Sequence, residues 1–469
     1  MTSTTSRLLF PVATTVAAAA AGASLGLAER NGLGLMVVGI AVSWACLRTA
    51  LFRWDVFVLT LSGCLILGYG FVNVPAAPGV PLPLPDALLI VLALRTMIGL
   101  RIERPLVLPL AWAAIFVAIA SIRLLIDVPV WGGDALRDYS LAVELLALPV
   151  GWAMLESYGL DRWRRALTWI FLLLLVYLWV YPWRDTLAAV APAFGLQRET
   201  SLLGDYQAAG SAAIAGLLFF ALLRPLGRGS LALSALFVPP LLLLQYRGLY
   251  LALPAVVLLI FAIASSRVGA VLRRRLAMLT LVAALGIVGL GALLSTLSVK
   301  PTGRLAQVSP GFVLNQLAAV RGEPGPQSAG VELRKRWIRG VVSDLNAKPS
   351  LWVTGLGLGP DLAQGFRYTN GVLVRKPHND YLETLGRLGV GGLVALLAVL
   401  AAATVPIVRK ARYAGRDEAA FLWWIIGASA TFLLIAATQP MLAYAYTTIP
   451  LFSFLGAGLA LSRMRVPSS

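Results

Sequence analysis

The stretch KPHNDYLETLGRLGVGGLVALLAVLAAATVPIVRKAR, residues 376–412, decides the fold. From Leu388 to Val408 it holds no ionisable side chain, and Arg409 and Lys410 close it. A hydrocarbon layer about 30 Å thick takes roughly 20 apolar residues in a helix, and a helix satisfies its backbone hydrogen bonds within one segment. The stretch reads as a membrane span entered from a polar segment.

Working outward, apolar runs of similar length begin near residues 8, 33, 57, 82, 105, 138, 166, 206, 229, 249, 276, 381, 418 and 441. They predict an all-α, polytopic bundle of about 12 to 14 transmembrane helices. Composition agrees. Of 469 residues, 59% are hydrophobic and 13% charged, with a mean hydropathy of +0.83, against about 25% charged in soluble domains. Domain cores of ordinary size cannot bury that much apolar sequence, which excludes a secreted enzyme, a nucleic-acid-binding domain and a disordered scaffold. The run after Arg7 resembles a signal peptide, but a second run follows closely, so it reads as a retained first span. Cys46 and Cys64 both sit in apolar runs, so neither a disulfide framework nor a thiolate metal cluster is expected.

Placing successive loops on alternate sides gives one side twenty Lys and Arg and the other six, which predicts cytoplasmic termini. The net charge of +18 reflects that bias more than a polyanion partner. Residues 299–380 form one large polar stretch on the opposite side, dividing the chain into helices at 1–298, a loop at 299–380 and helices at 381–469. Within the loop, GEPGPQSAG (322–330) reads as a flexible break, and VELRKRWIRGVVSDLNA (331–347) as an amphipathic helix. Its basic content suits an anionic ligand or lipid headgroups.

Three constellations carry chemistry. His378 is the chain's one histidine; it reads either as a proton-transfer group or as part of a helix entry, with Asn379 or Asp380 as the N-cap. Arg247, between two apolar runs, reads either as a phosphate ligand at membrane depth or as a turn residue. Arg334, Arg336 and Arg339 precede Gly355, Gly357 and Gly359, whose backbone amides either approach a ligand or form a surface turn. There is no Walker-type loop, no dinucleotide fingerprint and no His or Cys cluster for a metal. Glu144, Asp86, Asp138 and Asp205 lie in or near spans but do not cluster by spacing.

In this order, Tyr246-Arg247-Gly248, the arginines ahead of Trp337, the glycines at 355–359, and His378-Asn379 followed by Leu-Gly-x-x-Gly resemble the O-antigen ligase and O-antigen polymerase superfamily of bacterial inner-membrane glycosyltransferases. The likeness covers roughly residues 200 to 410. It implies a C-type membrane glycosyltransferase architecture, with one large, partly helical periplasmic loop and an active site facing the periplasm. It also implies transfer of a glycan from undecaprenyl pyrophosphate to a hydroxyl of a glycan, lipid A core or protein, with no cofactor, metal or nucleic acid. His378 then matches the catalytic base, with Asn379 beside it. Arg247 and either Arg334 or Arg336 match the pyrophosphate ligands. The family arginine commonly stands four residues before the Trp, where this chain has Leu333. Two other classes are open: a secondary transporter or flippase of a lipid-linked or anionic solute, and a structural membrane scaffold.

Overall fold

The computed structural model describes residues 50–263 and 329–463, less 77–81, 99, 101, 181–183, 195–199, 204–206, 228, 245–246 and 368–372; positions 274 and 277 are also described. The expected spans near 8, 33 and 276, the break at 322–328, Cys46 and Asp205 fall outside these residues.

The described residues are 79% helical, and the strands among them are the two-residue pair Ala193–Phe194 and Thr200–Ser201, joined antiparallel. In chain order the helices that build the argument are α1 (Ala50–Ser62), α2 (Leu84–Met97), α3 (Arg104–Trp131), α4 (Ala147–Val180), α5 (Gln207–Leu223), α6 (Arg247–Ile263), α7 (Ala329–Asn346), α8 (Asp380–Ala411), α9 (Arg416–Ala436) and α10 (Ala445–Arg463). Five runs among the described residues are long and apolar enough to cross a membrane: α3, Ser140–Val180 (which contains α4), α8, α9 and α10. Helices at 209–223, 229–241 and 248–263 are apolar but shorter.

Two of the long runs are not single rods. Gly159 (φ 76°, ψ 164°) breaks α4, and Gly389 (φ 67°, ψ −170°) breaks α8. At 41 residues, Ser140–Val180 is about twice the length one crossing needs, so Gly159 divides it into two pieces, matching the separate spans read near 138 and 166. Gly389 separates a short helix, Asp380–Leu388, from the apolar remainder of α8.

Lipid tails are as apolar as leucine, so helices in a membrane associate through close packing instead of water exclusion. The contact of α10 with α4 shows this. A Cβ on Gly151 would stand 2.2 Å from the Ser453 carbonyl oxygen, and one on Gly456 2.0 Å from that of Leu148. Nearby, Phe171, Phe219, Phe421 and Phe454 ring Trp424, whose indole N–H donates to the Ala215 carbonyl at 2.9 Å. Cys64 is buried with a free thiol, in keeping with a core position.

The ends of the bundle are fixed by pairs. Arg463, closing α10, meets Glu103 and Glu156, while Lys376 reaches the Ala443 carbonyl just ahead of α10 at 3.2 Å. Since α10 runs between these contacts, residues 376–380 occupy one end and Glu103, Glu156 and Arg463 the other. The end holding residues 376–380 carries the site.

Candidate functional site

The amphipathic helix read at 331–347 is α7. Trp337, Val341 and Leu345, each four residues apart, form its buried face. Val341 and Leu345 pack on Leu362 and Leu382; Trp337 packs on Ala363 and Val374. Lys335, Arg336 and Arg339 are exposed, and Lys335 pairs with Glu332 at 2.8 Å.

That register brings Arg334 to His378 and leaves Arg336 outside. The Trp337 indole lies on the His378 imidazole, with ring centroids 5.2 Å apart and planes tilted by 32°. Arg334, almost one turn earlier, is half-buried, and its charge acts on the imidazole. Leu333, at the position of the family arginine, packs beside Trp337. Burial, reinforced by Arg334, pushes the His378 pKa down to about 4 against an opposing pull from Glu383. The imidazole is therefore neutral at neutral pH, the state in which it accepts a proton. An anion beside Arg334 offsets the cation and returns the imidazole towards its ordinary basicity.

Local backbone chemistry presents this ring. His378 has φ +52°, a left-handed conformation uncommon outside glycine and asparagine-like residues. Asn379 then caps α8, its side-chain oxygen accepting from the Leu382 amide at 3.0 Å. The helix-entry reading of this segment is what the structure shows: Asn379 makes the cap and His378 stands just before it.

Beneath the histidine lies a charged lattice that residue spacing does not reveal. Lys376 lies 3.5 Å from Glu383 and over the Tyr444 ring at 4.8 Å. Glu383 pairs with Arg387 at 2.9 Å, and Arg387 with Asp138 at 2.8 Å. Arg375 joins Asp134 and Asp138. These groups are mostly buried, where an unpaired charge is costly, so each is held by opposite charge. A small cavity lined by Asp138, Lys376, Asp380, Glu383 and Arg387 opens between them. Three carboxylates that show no clustering along the chain come near one another in the described residues: Asp138 enters this lattice, and Glu144 feels the charges of Asp86 and Asp380.

The glycine-rich stretch has a structural job. A Cβ on Gly355 would meet the Arg387 carbonyl oxygen at 2.2 Å, one on Gly357 the Arg123 guanidinium at 2.4 Å, and one on Gly359 the Trp131 Cβ at 2.3 Å. The amides of residues 356 to 359 donate in turn to the Gly386 and Arg387 carbonyls, Asp127 and Asp138. The ligand-approach reading of Gly355, Gly357 and Gly359 therefore gives way to close packing, since these four amides already have protein acceptors.

Arg247 opens α6. Leu249, two residues on, packs against Gly210 near the start of α5. The chain just ahead of α5, at Leu202, backs onto Gly70, and Tyr69 meets Tyr444, the ring under Lys376. The α6 entrance thus sits at the same end of the bundle as His378. Among the described residues no cluster of His, Cys, Asp and Glu suits a metal ion.

The site thus gathers His378, Asn379, Trp337 and Arg334 over a buried charge lattice, with Arg247 opening a helix at the same end. Compared with known proteins, the chain matches no family model and no curated protein.

Proposed function

We propose that this chain is a polyprenyl-pyrophosphate-dependent glycosyltransferase, which moves a glycan from undecaprenyl pyrophosphate to an acceptor hydroxyl at the periplasmic face of a bacterial inner membrane. The observation that carries this reading is the seating of a neutral, buried imidazole beside Arg334 at one end of an apolar bundle. A lipid-linked donor keeps its diphosphate at the membrane rim, which is where a span boundary puts such a pair.

In this reading His378 takes the proton of the acceptor hydroxyl as its oxygen attacks the anomeric carbon. The bond from that carbon to the diphosphate oxygen breaks, undecaprenyl pyrophosphate leaves, and the configuration inverts. Arg334 and Arg247 offset the charge on the leaving diphosphate, the kind of preorganised electrostatic support that is strongest away from bulk water. Arg336, exposed on the other side of α7, is left out of the assignment.

The test uses the full chain in liposomes with a labelled undecaprenyl-pyrophosphate glycan and an acceptor. Wild type should form covalent product, and His378→Ala should form none while remaining folded; full activity in that variant removes the base. The same vesicles separate the second reading, a flippase or transporter, which the buried carboxylates Asp86 and Glu144 favour: movement of the lipid-linked glycan without product supports it. In a deletion strain, loss of all long chains from the core indicates a ligase, and single-repeat chains a polymerase.

A further inference from the structure

At the end of the bundle opposite His378, the termini of α5 and α9 and the middle of α4 surround an open cleft of about 620 Å³. Three guanidinium groups line it, those of Arg164, Arg224 and Arg416, against one carboxylate, Asp417. Leu222, Leu223, Gly227 and Ala420 complete the lining. The position follows from the chain path: α8 begins beside His378, ends at Ala411, and α9 starts within a few residues at Arg416.

Three features set this cleft apart from a scatter of surface arginines. Among the described residues no carboxylate lies within ion-pair distance of Arg164, Arg224 or Arg416, although Lys410 with Glu418 and Arg463 with Glu156 pair at the same end. The Arg224 Nε–H donates to the Gly227 carbonyl at 3.3 Å, on a backbone at φ +50°. Finally, α9 enters the cleft by its N-terminus, with no side-chain cap, so its first amides add to the positive field.

Guanidinium forks and uncapped helix amides match the oxygens of a phosphate. We propose that the cleft binds a phosphate group at the membrane face opposite His378, with the phosphodiester of an anionic phospholipid as the source that its position favours. This assignment is independent of the chemistry at His378.

The test is native mass spectrometry of the full chain in detergent, titrated with phosphatidylglycerol or phosphatidylcholine. Phosphatidylglycerol should be retained about tenfold more strongly, and Arg164→Gln or Arg416→Gln should each lower its retention about fivefold without changing that of phosphatidylcholine. Arg416→Lys, which keeps the charge, should restore most of the loss, and matching thermal transitions show that the variants are folded. Competition with millimolar inorganic phosphate separates the sources. Undisturbed phosphatidylglycerol supports the lipid headgroup, whereas displacement shows a soluble-phosphate site and overturns the lipid assignment. Equal retention of the two lipids by wild type, or full retention of phosphatidylglycerol by both Gln variants, overturns the site itself.

Discussion

The Asp380 carboxylate holds the Met441 backbone amide at 2.6 Å, and the same oxygen takes the Leu442 amide at 2.6 Å. One side chain thus ties the turn between α9 and α10 to the residue two positions after His378. Lys376, two positions before it, grips the same turn through the Ala443 carbonyl. A left-handed backbone at a residue other than glycine costs about 1 to 2 kcal/mol, so His378 needs such flanking clamps to keep φ at +52°.

Asp380→Ala leaves two buried amides without an acceptor, at about 1 to 3 kcal/mol each if neither finds another. The thermal transition of the purified protein should fall by several degrees, and Asp380→Asn, which keeps one acceptor oxygen, should fall less. An unchanged transition in the alanine variant removes the clamp from the account.

The His378 pKa gives a signed pH prediction. The folded state holds it at about 4, below the usual 6.5, so the native protein excludes a proton that the unfolded chain binds. Stability is then flat above pH 6.5 and declines as pH falls from there to about 4, by up to about 3 kcal/mol. His378→Asn, which tolerates the left-handed backbone, should abolish that decline. Because the chain has one histidine, a single imidazole signal in NMR reports the titration directly; a midpoint near 6.5 in the folded protein contradicts the burial argument.

Much of this was legible in the sequence where one element carries the whole signal. Apolar length marked the spans, the helical spacing of apolar residues in 331–347 marked α7, and Asn379 or Asp380 marked the start of α8. Relationships between distant elements were not legible. Asp138 and Arg387 lie far apart in sequence and meet at 2.8 Å because α3 packs along α8 and the short helix Gly133–Asp138 after α3 carries Asp138 to it. The break at Gly389 was hidden for another reason: the flanking run stays helix-compatible, and glycine alone does not announce a positive φ. Which of Arg334 and Arg336 acts on His378 also waited for the facing of α7, set by the burial of Trp337.

That choice makes a sharp comparison between neighbours. Arg334 acts on His378 and Arg336 is exposed. Arg334→Ala should raise the imidazole pKa of the ligand-free protein and, in the proposed reaction, raise the apparent KM for the lipid donor about 10- to 100-fold. Arg336→Ala should leave both near wild type. A reversed pattern reassigns the loop arginine.

Donor binding should itself move the histidine. A diphosphate beside Arg334 supplies negative charge and thereby raises the His378 pKa above its ligand-free value of about 4. The acid limb of kcat, which reports the donor-bound protein, should therefore lie at higher pH than that of kcat/KM, which reports the free protein. Arg334→Ala should narrow the gap by raising the ligand-free value. Coincident limbs in wild type place the diphosphate away from the imidazole and leave His378 without its proposed partner.

The glycine loop makes the opposite demand, since its role is steric. Gly357 and Gly359 have φ of 105° and 106°, and a Cβ at Gly359 would overlap Trp131 at 2.3 Å. Gly359→Ala thus adds both an overlap and a disfavoured backbone, at a combined cost of about 2 to 4 kcal/mol. Because α3 and the loop share this contact, the loss should appear as a lower thermal transition and poorer yield of folded protein, with or without a donor present. If that variant instead keeps wild-type stability and loses only donor affinity, the loop touches the donor after all and its amides must be released from Asp127 and Asp138 during binding.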